Sequence, residues 1–319
     1  MEEPGLPSPD MGPDISACRP SLPARPLMTV ILACNPHAGH FRADRVARWQ
    51  AALEAQGHRV TCLDSLVYAR DPRAHEADMV GIVGGDGTAR MVVEALRRAA
   101  LSPLLAIMPA GTVNLIAREI EASGTKAKDG AEEGQARTHY HGLIDGQAFL
   151  CCASVGPDSA IVARVTPERK ARWGKAAYVL AALAQIAHWP RPRLAVTVDG
   201  QPHEAEAVFV LKGHFYAGPW TLDPAARLDR ADLRVLLLPR ARRRDIARLA
   251  LGALLGAGRE RMPLESPAWR RFSAHSLTIA SADEGPVPVQ ADGDIVGQTP
   301  VRIALAGAAI HFDARRPLQ

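Results

Sequence analysis

Aromatic side chains are scarce in this 319-residue chain, where Phe, Tyr and Trp together make up 5%. A core must therefore come mostly from Ala, Leu, Val and Ile, and a hydrophobic share of 47% against 23% charged is ample for one. Cysteine is also sparse. Cys18, Cys34, Cys62, Cys151 and Cys152 are odd in number and include no Cys-x-x-Cys pair. That argues against a disulfide framework or structural zinc and for a reducing, cytoplasmic compartment. The last four lie in apolar strand-like runs and are expected to be buried small hydrophobes. No apolar run approaches the ~20 residues that span a bilayer; the longest candidate covers 176–187. The N-terminus lacks the charged-then-apolar pattern of a signal peptide. Any lipid would thus be met from the membrane surface. A Gly-x-Ser-x-Gly elbow is missing, which removes serine-hydrolase chemistry. The basic residues are not interleaved with aromatics, which argues against single-stranded nucleic acid. Charge is nearly balanced at +4, a bias that suits an anionic ligand or membrane face and equally a solvated surface.

The length predicts two domains. Residues 1–26 hold seven prolines among Ser, Asp and Gly and cannot bury a core, so 1–27 is expected to be a disordered tail, with Met28 as the true start. From Thr29 onward strands and helices alternate. Strands are predicted over 29–34, 58–63, 79–83 and 104–108, and a helix over 42–56. A further helix follows residue 88, with Ala89, Val92, Val93 and Leu96 on one face. This alternation predicts a parallel sheet flanked by helices. Residues 123–137 read as an exposed loop. Short alternating segments follow at 148–154, 194–198, 207–211, 233–238, 277–280, 287–291 and 301–305, with Asp-Gly turns at 199–200 and 292–293. These predict an antiparallel sandwich interrupted by helices near 167–188 and 240–257. His139 and His141 are read as surface or edge residues, too few for zinc.

The densest chemical signal is Gly84, Gly85, Asp86, Gly87 and Thr88, at the exit of a buried strand and the start of a helix. Ligands of open parallel sheets bind beyond the carboxyl ends of the strands. Three glycines leave the backbone bare for phosphate oxygens, and a helix N-terminus supplies free N–H groups and partial positive charge. Asp86 can hold magnesium or a nucleotide hydroxyl; Thr88 can donate to phosphate or cap the helix. The competing reading is a tight turn that needs glycine. The pattern is neither a Walker loop nor a dinucleotide fingerprint. Asp292, Gly293 and Asp294 form a second signal: residues two apart in an extended chain point the same way, so two carboxylates can converge. Its competing reading is an ordinary hairpin turn.

These elements resemble the diacylglycerol kinase catalytic family, which includes sphingosine and ceramide kinases, within a clan that also holds NAD kinases. Asn35, Pro36 and Gly39 resemble its first nucleotide loop, and Gly84 to Thr88 its hallmark. Pro109, Gly111, Thr112, Asn114, Ala117 and Arg118 are similar to its Pro-x-Gly-Thr-x-Asn-x-x-Ala-Arg element. Ser154, Gly156 and Asp158 resemble a Ser-x-Gly-x-Asp stretch; Lys170, Gly174, Lys175 and Tyr178 a basic helix; residues 290–294 a late Asp-Gly-Glu motif.

The resemblance implies a nucleotide-binding α/β domain over 28–138 and a β-sandwich acceptor domain over 139–319. It implies an ATP-dependent lipid kinase using Mg2+, cytoplasmic or peripheral on the inner membrane face, with room for a homodimer. Gly84, Gly85, Gly87, Gly111 and Thr112 would cradle phosphates, and Asp292 and Asp294 would flank the acceptor hydroxyl, one of them as general base. The sequence departs from the family at two places. Asp294 stands where Glu is usual, and the loop in which some members hold a structural magnesium is altered, leaving Asp229 and Asp232 as candidate ligands. Two other readings follow: a kinase with a soluble acceptor such as NAD, and a silent nucleotide- or lipid-binding regulator. The helices near 167–188 and 240–261 carry basic and apolar residues together, as membrane-surface helices do, or as helices packed on the sandwich with a solvated basic face do.

Overall fold

The computed structural model describes residues 27–125, 136–164, 191–255, 266–283 and 285–313. Four parallel strands, β1 (Thr29–Cys34), β2 (Arg59–Asp64), β3 (Met79–Gly84) and β4 (Leu104–Pro109), form the first sheet with β5 (Ala136–His139) and β18 (Ile310–Asp313), in the order β2-β1-β3-β4-β18-β5. β3 is buried along its whole length, as a strand covered on both faces should be. On one face α1 (Ala43–Ala55) packs Val46, Trp49 and Leu53 onto Val30, Leu32, Met79 and Met108. On the other, α3 (Asp86–Ala99) packs Ala89, Val92, Val93 and Leu96 onto Val80, Ile82, Leu105 and Ile107. Helices α2 (Ser65–Arg70) and α4 (Leu115–Thr125) complete this half.

The remaining strands build two antiparallel sheets. One contains β6 (Gly142–Ile144), β7 (Gln147–Phe149), β9 (Leu194–Val198), β10 (Gln201–Ala205), β14 (Ser276–Ser281) and β17 (Val301–Leu305). The other contains β8 (Cys152–Val155), β11 (Ala207–Leu211), β12 (Leu233–Leu238), β13 (Arg270–Ala274), β15 (Pro288–Ala291) and β16 (Asp294–Gln298). Their facing sides share one apolar core including Phe149, Val155, Val196, Val208, Val235, Ile279, Val289 and Ile303. The outer face of the second sheet is covered by α6 (Arg243–Leu255), which buries Leu249 and Ala253 against Phe209, Leu236, Leu238 and Trp269. Its Arg243, Arg244 and Arg248 face outward. A short helix, α5 (Pro157–Ala163), follows β8. Among the described residues no helix is long and apolar enough to cross a membrane.

The fold class is the expected one, an α/β half with a parallel-sheet core and an antiparallel sandwich. Several local expectations are corrected. The run 148–154 is not one strand: it breaks after Phe149, and its two parts join different sheets. Cys62 is exposed rather than buried, because β2 is an edge strand. His139 and His141 are buried, each 1% exposed, because the segment carrying them leaves the first sheet for the sandwich. The expected loop 123–137 is helical to Thr125 and becomes a strand at Ala136. The basic helix near 167–188, with Lys170, Gly174, Lys175 and Tyr178, lies outside the described residues, as does the tail before Leu27.

Candidate active site

Three loops leave the carboxyl ends of β1, β3 and β4, and hydrogen bonds knit them into one surface. Asn35 donates from its backbone to Val83 O at 2.8 Å and from Nδ2 to Thr88 Oγ1 at 2.9 Å. His40 N donates to Ala110 O at 2.9 Å, and Ala110 N to Gly84 O at 2.8 Å. Asn114, at a positive φ of 56°, accepts from Gly111 N and donates to Gly111 O, both at 2.8 Å, which closes the turn after β4 on itself. Gly85 and Gly111 touch: a Cβ on Gly111 would lie 2.5 Å from the Gly85 Cα. Neither position admits a side chain, so both backbones stay bare. Pro36, Gly39, Gly87 and Thr112 are exposed at the rim. Beyond Gly39 a Cβ would meet nothing within 4 Å.

Asp86 opens α3, whose first amides have no intrahelical acceptor. Its Oδ1 accepts from Ile116 N at 3.0 Å, which ties the β3 loop to the start of α4. Thr88 is buried, and its hydroxyl is held by Asn35. It joins loops here and does not cap α3, whose N-cap is Gly85 with no side-chain bond.

The acid turn comes from the sandwich. Asp292, at φ 49°, is 7% exposed. Its Oδ2 accepts from Leu150 N at 2.7 Å, and its Oδ1 from Cys151 N at 2.8 Å and Cys152 N at 3.1 Å. Burial pushes this carboxyl above its ordinary value, against the three N–H donors that favour the ionised form. Burial, reinforced by Asp292, likewise pushes the Cys151 and Cys152 thiols far up, so neither is a nucleophile. Asp294 has 39% of its side chain exposed. Its Oδ2 accepts from Arg90 Nη2 at 3.0 Å, while Arg90 Nη1 donates to Ala291 O at 3.3 Å. A Cβ on Gly87 would sit 3.5 Å from the same Asp294 oxygen. The glycine loop and the acid turn are therefore in contact.

Next to this turn, Asp158 accepts from Ser154 Oγ at 2.5 Å and from Tyr216 Oη at 2.6 Å, and burial raises both the Asp158 carboxyl and the Tyr216 phenol. Asp229 and Asp232 lie elsewhere, in a loop at the domain junction. Asp229 is bound by Arg227 at 2.8 and 2.6 Å, and Asp232 by Arg230 at 3.0 and 3.2 Å and by Ser273 at 2.6 Å. The Arg227 side chain holds the Asp229 carboxyl below its usual range. At Asp232 burial works upward, but the Arg230 and Ser273 bonds bring the carboxyl down.

Reading the sequence missed Arg90 and Lys212. Arg90 had a usable signal, since it follows Asp86 by one helical turn and shares its face. Lys212 is a lysine at the end of an otherwise apolar strand, a pattern that a solvated strand end would also produce.

Fold and site together define a two-domain protein in which the glycine loops of a parallel sheet lie against an acid turn of a β-sandwich. Residues 29–141 match the diacylglycerol kinase catalytic domain, and residues 152–312 match the YegS C-terminal NAD kinase beta sandwich-like domain. The chain is 32% identical over 243 residues to the "Probable lipid kinase YegS-like" of Pseudomonas aeruginosa strain UCBPP-PA14, covering 74% of this chain and 76% of that one. It is 28% identical over 213 residues to a diacylglycerol kinase of Bacillus subtilis, covering 65% and 70%. A crystal structure of a diacylglycerol kinase from Bacillus anthracis superimposes with a TM-score of 0.64 at 17% identity, over 90% of this chain and 97% of that one, a likeness of fold. The chain belongs to the diacylglycerol kinase and YegS-like lipid kinase family.

Proposed function

We propose that this chain is an ATP-dependent lipid kinase that transfers the γ-phosphoryl group to a hydroxyl of diacylglycerol or of a sphingoid or ceramide-like lipid. The observation that carries the reading is the meeting of Gly87 and Arg90 of the α/β half with Asp294 of the sandwich. A phosphate-binding backbone and a solvent-reachable carboxylate then lie within one substrate's length. Asn35, Pro36, Gly39, Gly84, Gly85, Gly87, Gly111 and Thr112 line the nucleotide side, with Thr88 and Asn114 fixing the loops. A magnesium ion on the nucleotide fits Asp86: such ions are held by one or two carboxylates plus substrate phosphates, and Asp86 sits at the mouth of the cradle that Gly85 and Gly111 keep bare. Bound there, the ion would offset charge developing on the phosphoryl oxygens.

The acceptor oxygen attacks the γ-phosphorus as the bond to the bridging β–γ oxygen breaks and ADP leaves. The hydroxyl proton passes to Asp294, which Arg90 orients. Asp292, whose oxygens are occupied by three backbone amides, shapes the turn that presents Asp294. The exposed basic face of α6, with Leu251 and Leu255 about half exposed beside it, supports work at an anionic membrane surface on the cytoplasmic side. The test is incubation of the purified chain with labelled ATP, Mg2+ and mixed lipid extract. Label is expected in the lipid fraction, and Asp86→Asn is expected to abolish it while the circular dichroism spectrum and unfolding midpoint hold. Label appearing only in a water-soluble product, or an Asp86→Asn chain of full activity, would overturn the reading.

A further inference from the structure

We infer that the ammonium group of Lys212 is the resident cation of the loop spanning residues 227–232, so that this chain holds no metal ion there. The family resemblance points a structural magnesium at this loop through Asp229 and Asp232, and the residues present do not fit one. The carbonyl oxygens of Arg227, Leu228 and Arg230 converge on a single point, as they would around an ion. That point is occupied by Lys212 Nζ, at 2.7, 3.2 and 2.8 Å. Both carboxylates are already committed, Asp229 to Arg227 and Asp232 to Arg230 and Ser273. A divalent ion would have to displace the ammonium and strip two arginines. Among the described residues no group of three His, Cys, Asp or Glu side chains is placed to hold a metal.

Lys212 is 0% exposed. A buried charge is tolerated only when its hydrogen bonds are met and opposite charge is near. An ammonium has three N–H donors, and three carbonyls receive them; a neutral amine would have only two. Asp232 and Asp229 lie near enough to supply opposing charge.

The position explains why a cation is wanted. Lys212 N and Gly213 N both donate to Cys151 O, at 2.8 and 2.9 Å, and Cys151 N donates to Asp292. Leu228 O also accepts from Tyr140 N at 2.8 Å, in the segment that links the two domains. Lys212 thus ties the 227–230 loop, which also holds the linking segment through Tyr140, to the seat of the acid turn.

The test uses thermal unfolding of the full chain without nucleotide, which keeps any magnesium of the cleft out of the measurement. After dialysis against EDTA the unfolding midpoint is expected to equal that measured in millimolar Mg2+ or Ca2+, with neither metal retained in elemental analysis of the dialysed protein. Lys212→Met preserves the aliphatic length and removes the donors, and is expected to lower the midpoint in a way that neither metal restores. A wild-type midpoint that drops in EDTA and returns with Mg2+, one equivalent of metal surviving dialysis, or a Lys212→Met chain that unfolds at the wild-type midpoint would each overturn the inference. The EDTA comparison decides the matter even if Lys212→Met fails to fold.

Discussion

Asp292 and Asp294 are the same side chain two positions apart, in opposite surroundings, and substitution should separate them. In Asp292→Asn one carboxylate oxygen becomes an NH2 group aimed at a backbone N–H. At least one buried amide loses its acceptor. A loss of about 3 kcal/mol in stability follows, to be read from urea unfolding. Asp294→Asn removes no buried bond of that kind. It is expected to unfold at the wild-type midpoint and to lose turnover by about 100-fold or more. Asp294→Glu restores the acid usual in the family and should be at least as active as wild type; an inactive Glu variant would argue against Asp294 as proton acceptor. The acid turn and the glycine loop were legible in the sequence because each is a short run of special residues at a turn. The division of labour between the two acids was not. It depends on Leu150, Cys151 and Cys152, whose amides reach Asp292 across about 140 residues of chain.

At the scale of elements, buried strands were legible wherever turn residues end them. The runs 29–34, 194–198, 207–211, 233–238 and 301–305 match β1, β9, β11, β12 and β17 residue for residue. The 148–154 run failed for a physical reason. Residues 148–153 are all apolar, so nothing local marks a break, and at the break the amides of Leu150, Cys151 and Cys152 turn to the distant Asp292 carboxylate. The loops after β1, β3 and β4 also differ in what holds them, which gives a test within one motif set. A methyl at Gly111 would collide with the Gly85 backbone at 2.5 Å, and backbone cannot step aside as a flexible side chain can. Gly111→Ala should therefore cost about 1–3 kcal/mol of stability and weaken nucleotide binding as well. Gly39→Ala meets open space. Its unfolding midpoint should match wild type, with any effect confined to a raised KM for ATP. Equal midpoints for the two variants would mean that the β3 and β4 loops do not press together.

At the scale of the whole molecule, the junction between the domains contributes to acid sensitivity. Residues 139–141 carry the chain from β5 in the first sheet to β6 in the sandwich, and the last strand, β18, returns to pair with β4 and β5. Neither crossing was legible in the sequence, because short strands of mixed polarity look like loops until their partners are known. The crossing buries two histidines. Among the described residues His141 has no hydrogen-bond partner at either ring nitrogen, and His139 has none at Nε2. Burial pulls both imidazoles down from 6.5 to about 4, with the nearby Arg97 adding to the fall at His141. Between those pH values the unfolded chain binds protons that the folded chain refuses, so stability is complete above 6.5 and is lost as pH falls toward 4. Each histidine is worth about 3 kcal/mol across that window. Glu119 works in the opposite sense. Burial lifts its carboxyl from 4.5 to about 7, so its contribution is present at low pH and is lost as pH rises through 7. Of these three groups, the two histidines outweigh the glutamate and favour acid instability. A difference measurement isolates one of them. His141→Phe replaces an unbonded imidazole with an apolar ring of similar shape. The variant should be at least as stable as wild type at pH 7.5, and its advantage should widen steadily as urea unfolding is repeated from pH 6.5 down to 4.5. A constant difference across that range would mean that the imidazole finds water or a partner when charged, and that the junction opens before the histidine resists its proton.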